Sequence, residues 1–177
     1  MILKNENIRN MKELTYRTAF EKDLKQLQQL GLLAYGQYKS TITQENWEKW
    51  EAAFKSDDNF LNLLAISTCF VCEVENQIIG MAFFIPSGNP FLYFPSEWSY
   101  IRYVGVNPAF EGNGIGKKLT QQCIDKAKET SEKTIALHTS EFQNAARHIY
   151  ESLGFIKQKE LEPVFGKVFY IYTMELL

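Results

Sequence analysis

The chain has 177 residues, 45% of them hydrophobic and 23% charged, the ordinary balance of a water-soluble globular protein. That length buries a core without disulfides or metals, and one domain spanning residues 1–177 is the expectation. A formal net charge of -2 excludes a general nucleic-acid binder, which is basic, but leaves room for one local phosphate site.

The amino terminus, Met1 to Asn7, lacks the apolar centre of a signal peptide. No apolar run approaches the ~20 residues that cross a bilayer, so a cytoplasmic location without membrane contact is expected. Leu14 to Arg17 reads as a short strand. A helix is predicted over Phe20 to Leu33, with Phe20, Leu24, Leu27 and Leu30 as its apolar stripe, and a second over Thr43 to Lys55, with Trp47, Trp50 and Phe54 inward and Thr43 as cap. Thr68 to Glu75 and Ile78 to Ile85 form a hairpin turning at Asn76-Gln77. Cys69 and Cys72 have CxxC spacing, but strand alternation puts them on opposite faces. With Cys123 they make an odd count without framework spacing, as reduced intracellular thiols do, and the two histidines lie too far downstream to complete a metal site.

Pro86 to Pro95 is a loop and Glu97 to Val106 a strand that Pro108 stops. Gly112 to Gly116 opens a helix running to about Thr130, with Ile115, Leu119, Cys123 and Ala127 at four-residue steps. Ile135 to Thr139 is a strand. A helix over Phe142 to Leu153 turns Phe142, Ala146, Ile149 and Leu153 inward and stops at Gly154. Strands over Phe155 to Glu160 and Val168 to Leu176 close the chain as a hairpin. The fold class is therefore mixed α/β.

Chemistry concentrates in Val104-Gly105-Val106-Asn107-Pro108-Ala109-Phe110-Glu111-Gly112-Asn113-Gly114-Ile115-Gly116-Lys117-Lys118-Leu119. A strand, a glycine turn and a helix start bring unpaired N–H groups and a positive dipole end together, an arrangement suited to phosphate. Lys117 and Lys118 oppose that dipole unless an anion binds between. A P-loop is excluded because Glu111 stands at its first glycine and Lys118 at its Ser or Thr. A dinucleotide fingerprint is excluded because Lys117 stands at its third glycine.

This segment resembles the acetyl-CoA signature of the GNAT N-acetyltransferase superfamily: Val106-x-Pro108, then Glu111-x-x-Gly114-x-Gly116. Glu111 departs from the family's Arg or Gln. A second resemblance lies in Asn144-Ala145-Ala146-Arg147-His148-Ile149-Tyr150-Glu151-Ser152-Leu153-Gly154-Phe155, where Ala146, Tyr150, Gly154 and Phe155 fall in register. The family's Asn aligns with Gln143, one place before Asn144, and either amide could reach the pantetheine arm.

The resemblance implies a mostly antiparallel sheet, flanked by helices and splayed between the strands around Tyr100 to Val106 and Ile135 to Thr139. It implies acetyl-CoA as cosubstrate, no metal, and direct attack by a primary amine of a small molecule or peptide. Val104, Gly105, Val106, Gly112, Asn113, Gly114, Ile115, Gly116, Lys117, Lys118, Asn144, Arg147 and Tyr150 would hold the cosubstrate. Tyr150 would also protonate the leaving thiolate, and Glu97 or His138 would serve as base. His148 lies off the Tyr150 face. Phe91, Tyr93, Phe94, Trp98 and Tyr100 would line an acceptor pocket or pack a core. A homodimer is open. The alternative is an inactive acyl-CoA sensor or partner-binding module, which Glu111 favours; a panel of amines separates the two.

Overall fold

A computed structural model describes residues 13–164 and 166–176. The expectations for Met1 to Asn7 lie outside the described residues. In chain order the elements are β1 (Thr15–Thr18), α1 (Leu24–Gly36), α2 (Gln44–Lys55), α3 (Asp57–Ile66), β2 (Thr68–Val74), β3 (Gln77–Ile85), β4 (Ser99–Val106), α4 (Ile115–Glu129), β5 (Thr134–Ser140), α5 (Asn144–Leu153), β6 (Ile156–Val164) and β7 (Lys167–Glu175), with 3-10 turns at Glu21–Asp23 and Pro108–Phe110.

The seven strands form one sheet in the order β1-β2-β3-β4-β5-β7-β6, antiparallel at every pair except β4 with β5. The expected mixed, mostly antiparallel sheet is thus observed. Helices α1, α2 and α3 cover one face, burying Leu27, Leu30, Phe54, Phe60 and Leu63 against Val71, Met81 and Phe83. Helices α4 and α5 cover the other, where Ile115, Leu119, Cys123, Ile124 and Tyr150 meet Ile79, Ala82, Phe84 and Leu137. Each such apolar side chain contributes roughly 1.5–3 kcal/mol by leaving water. Cys69 lies in the first core and Cys72 in the second, as alternation requires. Arg17 pairs with Asp23 at 2.8 Å and Glu73 at 2.9 Å, pinning β1 and the first turn to β2.

Several boundaries move. Phe20 does not begin a helix: it is extended and 61% exposed, and α1 starts only at Leu24 after the 3-10 turn. The hairpin turns one residue earlier than expected, at Glu75 and Asn76, both with positive φ. Helix α3 was not anticipated; Ser56 caps it by accepting from Asn59 N at 3.2 Å, and Asp57 and Asp58 occupy its first turn. Phe142 precedes α5 instead of lying in it. β6 extends to Val164, tolerating Pro163 because it is the sheet's edge. Among the described residues no helix is long and apolar enough to cross a membrane.

Candidate functional site

The site begins where the sheet comes apart. β4 and β5 run parallel and pair only at Ser99 with Ile135 and Tyr100 with Ala136. Beyond Tyr100, the edge of β4 facing β5 has no ladder partner, so its backbone donors and acceptors border a gap. On its other edge β4 carries a bulge: Phe83 lies opposite Arg102 and Met81 opposite Gly105. The extra residue is accommodated by Tyr103 at φ 50, a left-handed conformation that a bulky side chain adopts only under constraint. The constraint is aromatic packing, with the Tyr103 ring stacked on Phe60 at 5.9 Å and tilted on Phe54 at 5.2 Å.

The bulge re-phases the strand. Tyr100 packs on the α1–α3 face and Ile101 on the α4–α5 face; after the bulge Tyr103 packs on the first face, and Val104 and Val106 on the second. At Gly105 a Cβ would come within 3.1 Å of Ala34 Cβ, so α1 lies close against the strand there. A cleft of about 720 Å³ fills the gap and is lined from both faces: by Tyr35, Trp50 and Phe54 on one side and by Gly116, Ile149 and Tyr150 on the other.

At the carboxyl end of β4 the chain makes the glycine turn. Asn107 Oδ1 accepts from Ala109 N at 3.0 Å and starts the 3-10 turn. Gly112 and Gly114 follow at φ 79 and 75, and α4 begins at Ile115 without a side-chain cap. Nothing lies within 4 Å of the position a Cβ would take on Gly112 or Gly114. The turn is therefore an open concavity, floored by backbone and the amino end of a 15-residue helix, which is what a phosphate group needs. Lys117 lines this end of the cleft. Two expected ligands do not: Lys118 Nζ sits 4.9 Å over the Tyr16 ring, and the Asn113 amide braces the turn by donating to Phe110 O at 2.8 Å.

Glu111 lines the cleft and accepts from Gln37 Nε2 at 3.2 Å. Tyr38 nearby has its phenol pushed up by burial and, secondarily, by the Glu111 charge.

Helix α5 supplies Tyr150, 5% exposed. Burial first, then neighbouring Tyr38 and Cys123, hold its proton affinity well above the ordinary phenol value. Asn144 and Arg147 are not part of the lining: the Arg147 guanidinium bonds Asn144 Oδ1 and lies 5.5 Å over the Tyr170 ring. The amide that does face the cleft is Gln143, fixed as its Oε1 accepts from Thr139 Oγ1 at 3.0 Å, Ser140 N at 3.0 Å and Ser140 Oγ at 3.1 Å. Helix α5 starts at Asn144, yet the face expected inward is kept, with Ala146, Ile149 and Leu153 packed against the second core.

The opposite mouth is aromatic. Phe91 and Tyr93 line it, whereas Phe94 and Tyr100 stack at 4.7 Å within the core and Trp98 packs against that core. His138 reaches the cleft from β5 between Phe94 and Phe169, and burial, with the Arg102 charge second, lowers its proton affinity to about 4. Glu97 is a correction: it is exposed, precedes β4 at the closed end of the split, and does not line the cleft. Arg102, unmarked by the motifs, lines this mouth; as the one charged residue in Ser99–Val106 it was visible in the sequence. Among the described residues there is no cluster of three His, Cys, Asp or Glu side chains able to hold a metal ion.

The family model described as acetyltransferase (GNAT) matches residues 37–155. A Xenopus laevis protein named probable N-acetyltransferase camello is 28% identical over 134 residues, covering 75% of this chain and 55% of its own. Human N-acetyltransferase 8B is 25% identical over 121 residues, covering 66% and 52%. The chain thus spans about half the length of these curated relatives. A solved PaiA N-acetyltransferase from Thermoplasma acidophilum, in complex with coenzyme A, matches in fold with a TM-score of 0.75 at 14% identity, covering 93% of this chain and 100% of its own.

Proposed function

This chain belongs to the GNAT acetyltransferase family, and from that premise we propose that residues 1–177 form one catalytic domain that moves an acetyl group from acetyl-CoA to a primary amine. The observation that carries the reading is the single cleft that passes through the β4–β5 split, with the open glycine turn at one end and Tyr150 along its wall. The open Cβ positions at Gly112 and Gly114, the uncapped start of α4 and Lys117 fit a pyrophosphate.

The cosubstrate supplies an activated acetyl group as a thioester. Backbone groups of Gly112, Gly114, Ile115 and Gly116, with Lys117, hold its phosphates. The free edge of β4 at Val104, Gly105 and Val106 orients its arm, assisted by the Gln143 amide. Confinement in a split lined by apolar side chains excludes water and aligns the amine with the carbonyl. The amine nitrogen forms a bond to the acetyl carbon as the carbon–sulfur bond breaks; the nitrogen gives a proton to solvent at the cleft mouth, Tyr150 Oη gives one to the sulfur, and the phenolate regains its proton from solvent. His138, whose proton affinity burial lowers to about 4, is a hydrogen-bond acceptor for the entering amine and only a weak base toward it. Three buried, unpaired cysteines support a cytoplasmic setting, where thiols stay reduced.

Titration with acetyl-CoA followed by thioester consumption with a panel of primary amines tests this. Saturable binding and amine-dependent release of thiol are expected. A folded protein that binds no acetyl-CoA would sink the reading.

A further inference from the structure

Arg102 is placed to recognise an anion on the acceptor. Among the described residues the cleft has three formal charges in its lining: Glu111 and Lys117 at the glycine turn, and Arg102 at the aromatic mouth. The Arg102 guanidinium lies 4.1 Å from the Phe91 ring centroid and 5.0 Å from that of Tyr103, within cation–π reach of both rings. Among the described residues it makes no ion pair, and its Nη2 donates to Tyr103 Oη at 3.4 Å. Ring contacts and that one bond leave the other N–H donors of the guanidinium, in a fork matched to a carboxylate. The bulge at Tyr103 is what turns this part of β4 toward the mouth. His138 is near enough for the Arg102 charge to act on it. The aromatic lining of the same cleft includes Trp50, Phe91, Tyr93 and Phe169.

Resting on the acetyl-transfer reading of this cleft, we propose that the acceptor is an amine bearing a carboxylate and an aromatic or bulky apolar group: a free amino acid of that kind, held through its carboxylate by Arg102. The fork of the guanidinium takes the two carboxylate oxygens, the apolar group lies among the aromatic walls, and the amino group is left to point into the split toward His138 and Tyr150. Recognition by charge in an otherwise apolar mouth rejects the same amine without its carboxylate, because the half-buried cation then loses its partner.

The test compares L-phenylalanine, L-phenylalanine amide, phenethylamine and phosphoethanolamine as acceptors, using wild type, Arg102→Gln and Arg102→Lys. Calorimetry of N-acetyl-L-phenylalanine and its amide against the CoA-saturated protein runs alongside and needs no turnover. Tight CoA binding in all three proteins establishes that the cofactor site is intact, so a wild type that binds no CoA marks failure of the acetyl-transfer reading, and a wild type that binds CoA but does not discriminate for the carboxylate marks failure of this proposal alone. The proposal expects L-phenylalanine and its acetylated form to be favoured over the amides and over phenethylamine by on the order of tenfold or more, in kcat/KM and in affinity. Arg102→Gln should erase that preference and Arg102→Lys restore part of it. Equal handling of acid and amide, a preference for phosphoethanolamine, or an intact preference in Arg102→Gln would overturn it.

Discussion

Gln37 Nε2 donates to a Glu111 carboxylate oxygen at 3.2 Å, tying the end of α1 to the glycine turn across the mouth of the cleft. Gln37 also donates to Ala34 O at 2.7 Å, so the tether is anchored to the helix end. The acid that departs from the family signature is therefore held at the cleft edge, where an incoming pyrophosphate would feel it. Glu111→Gln keeps the shape and removes the charge. Two unit charges 4 Å apart interact by about 1 kcal/mol in water, so acetyl-CoA should bind about fivefold tighter. The gain should shrink with added salt. Calorimetric titration at low and high ionic strength checks both; weaker binding would mean that the tether, not the charge, matters.

Gly114 combines φ 75 with open space where a Cβ would stand. A Cβ there has no neighbour within 4 Å, and a branched side chain projects into that open space and strains the backbone by about 1–2 kcal/mol. Gly114→Val should therefore stay folded, with a modest drop in melting temperature, and lose most of the stabilisation that acetyl-CoA confers. That stabilisation is about 2.7 kcal/mol at a hundredfold excess over Kd. A thermal shift equal to that of wild type would remove the turn from the cofactor site.

The order of the strands and of all helices but α3, and the glycine turn, were legible because each has a local signature: alternation, four-residue periodicity, or glycine before a helix; the place of the split followed from the family resemblance. What escaped depends on geometry that no local pattern marks. The bulge at Tyr103 carries neither glycine nor proline and is held by rings from α2, α3 and β3, distant in sequence. Helix α3 was hidden by its polar opening, although Ser56 followed by two aspartates is a helix-start signal. Adjacent amides at Gln143 and Asn144 are not separated by the motif; what separates them is that Gln143 Oε1 is fixed by Thr139 and Ser140, whereas Asn144 bonds Arg147. Arg102 was passed over because a strand arginine carries no motif, and its stacking on Phe91 belongs to the loop's path alone.

His138 makes stability depend on pH in a defined window. Its proton affinity in the fold is about 4, against 6.5 in the unfolded chain, with burial as the first cause. Between those values the unfolded chain binds the extra proton, so the stability due to a neutral His138 is fully present above about 6.5 and is lost as pH falls toward 4. The full loss is on the order of 3 kcal/mol. Asp23, held low chiefly by its hydrogen bond with Arg17, acts below the ordinary carboxylate value of 3.8 and does not blur this window. Urea denaturation at pH 7.5 and 5 should show the drop in wild type and a much smaller one in His138→Asn; parallel slopes would show that His138 is not buried as described.

Tyr150→Phe keeps the ring, its packing against Phe155 and the cleft wall, and removes only the hydroxyl. If that hydroxyl gives its proton to the departing sulfur, the loss falls on the transition state and not on binding. Turnover should drop on the order of a hundredfold, with acetyl-CoA affinity within about twofold. The raised proton affinity adds a second signature. Burial keeps the phenol protonated well beyond its ordinary value, so Tyr150 should contribute no alkaline fall in the rate profile across the usual assay range. The sign is consistent with its role, because an acid that stays protonated remains available to a leaving thiolate, which is generated inside the same apolar cleft and is itself made more basic there. A purely structural Tyr150 predicts the reverse pattern: turnover near wild type, with the change confined to melting temperature. Measuring kcat, Kd for acetyl-CoA and melting temperature on one preparation separates the two, and unchanged kcat in the Phe variant would take Tyr150 out of the reaction.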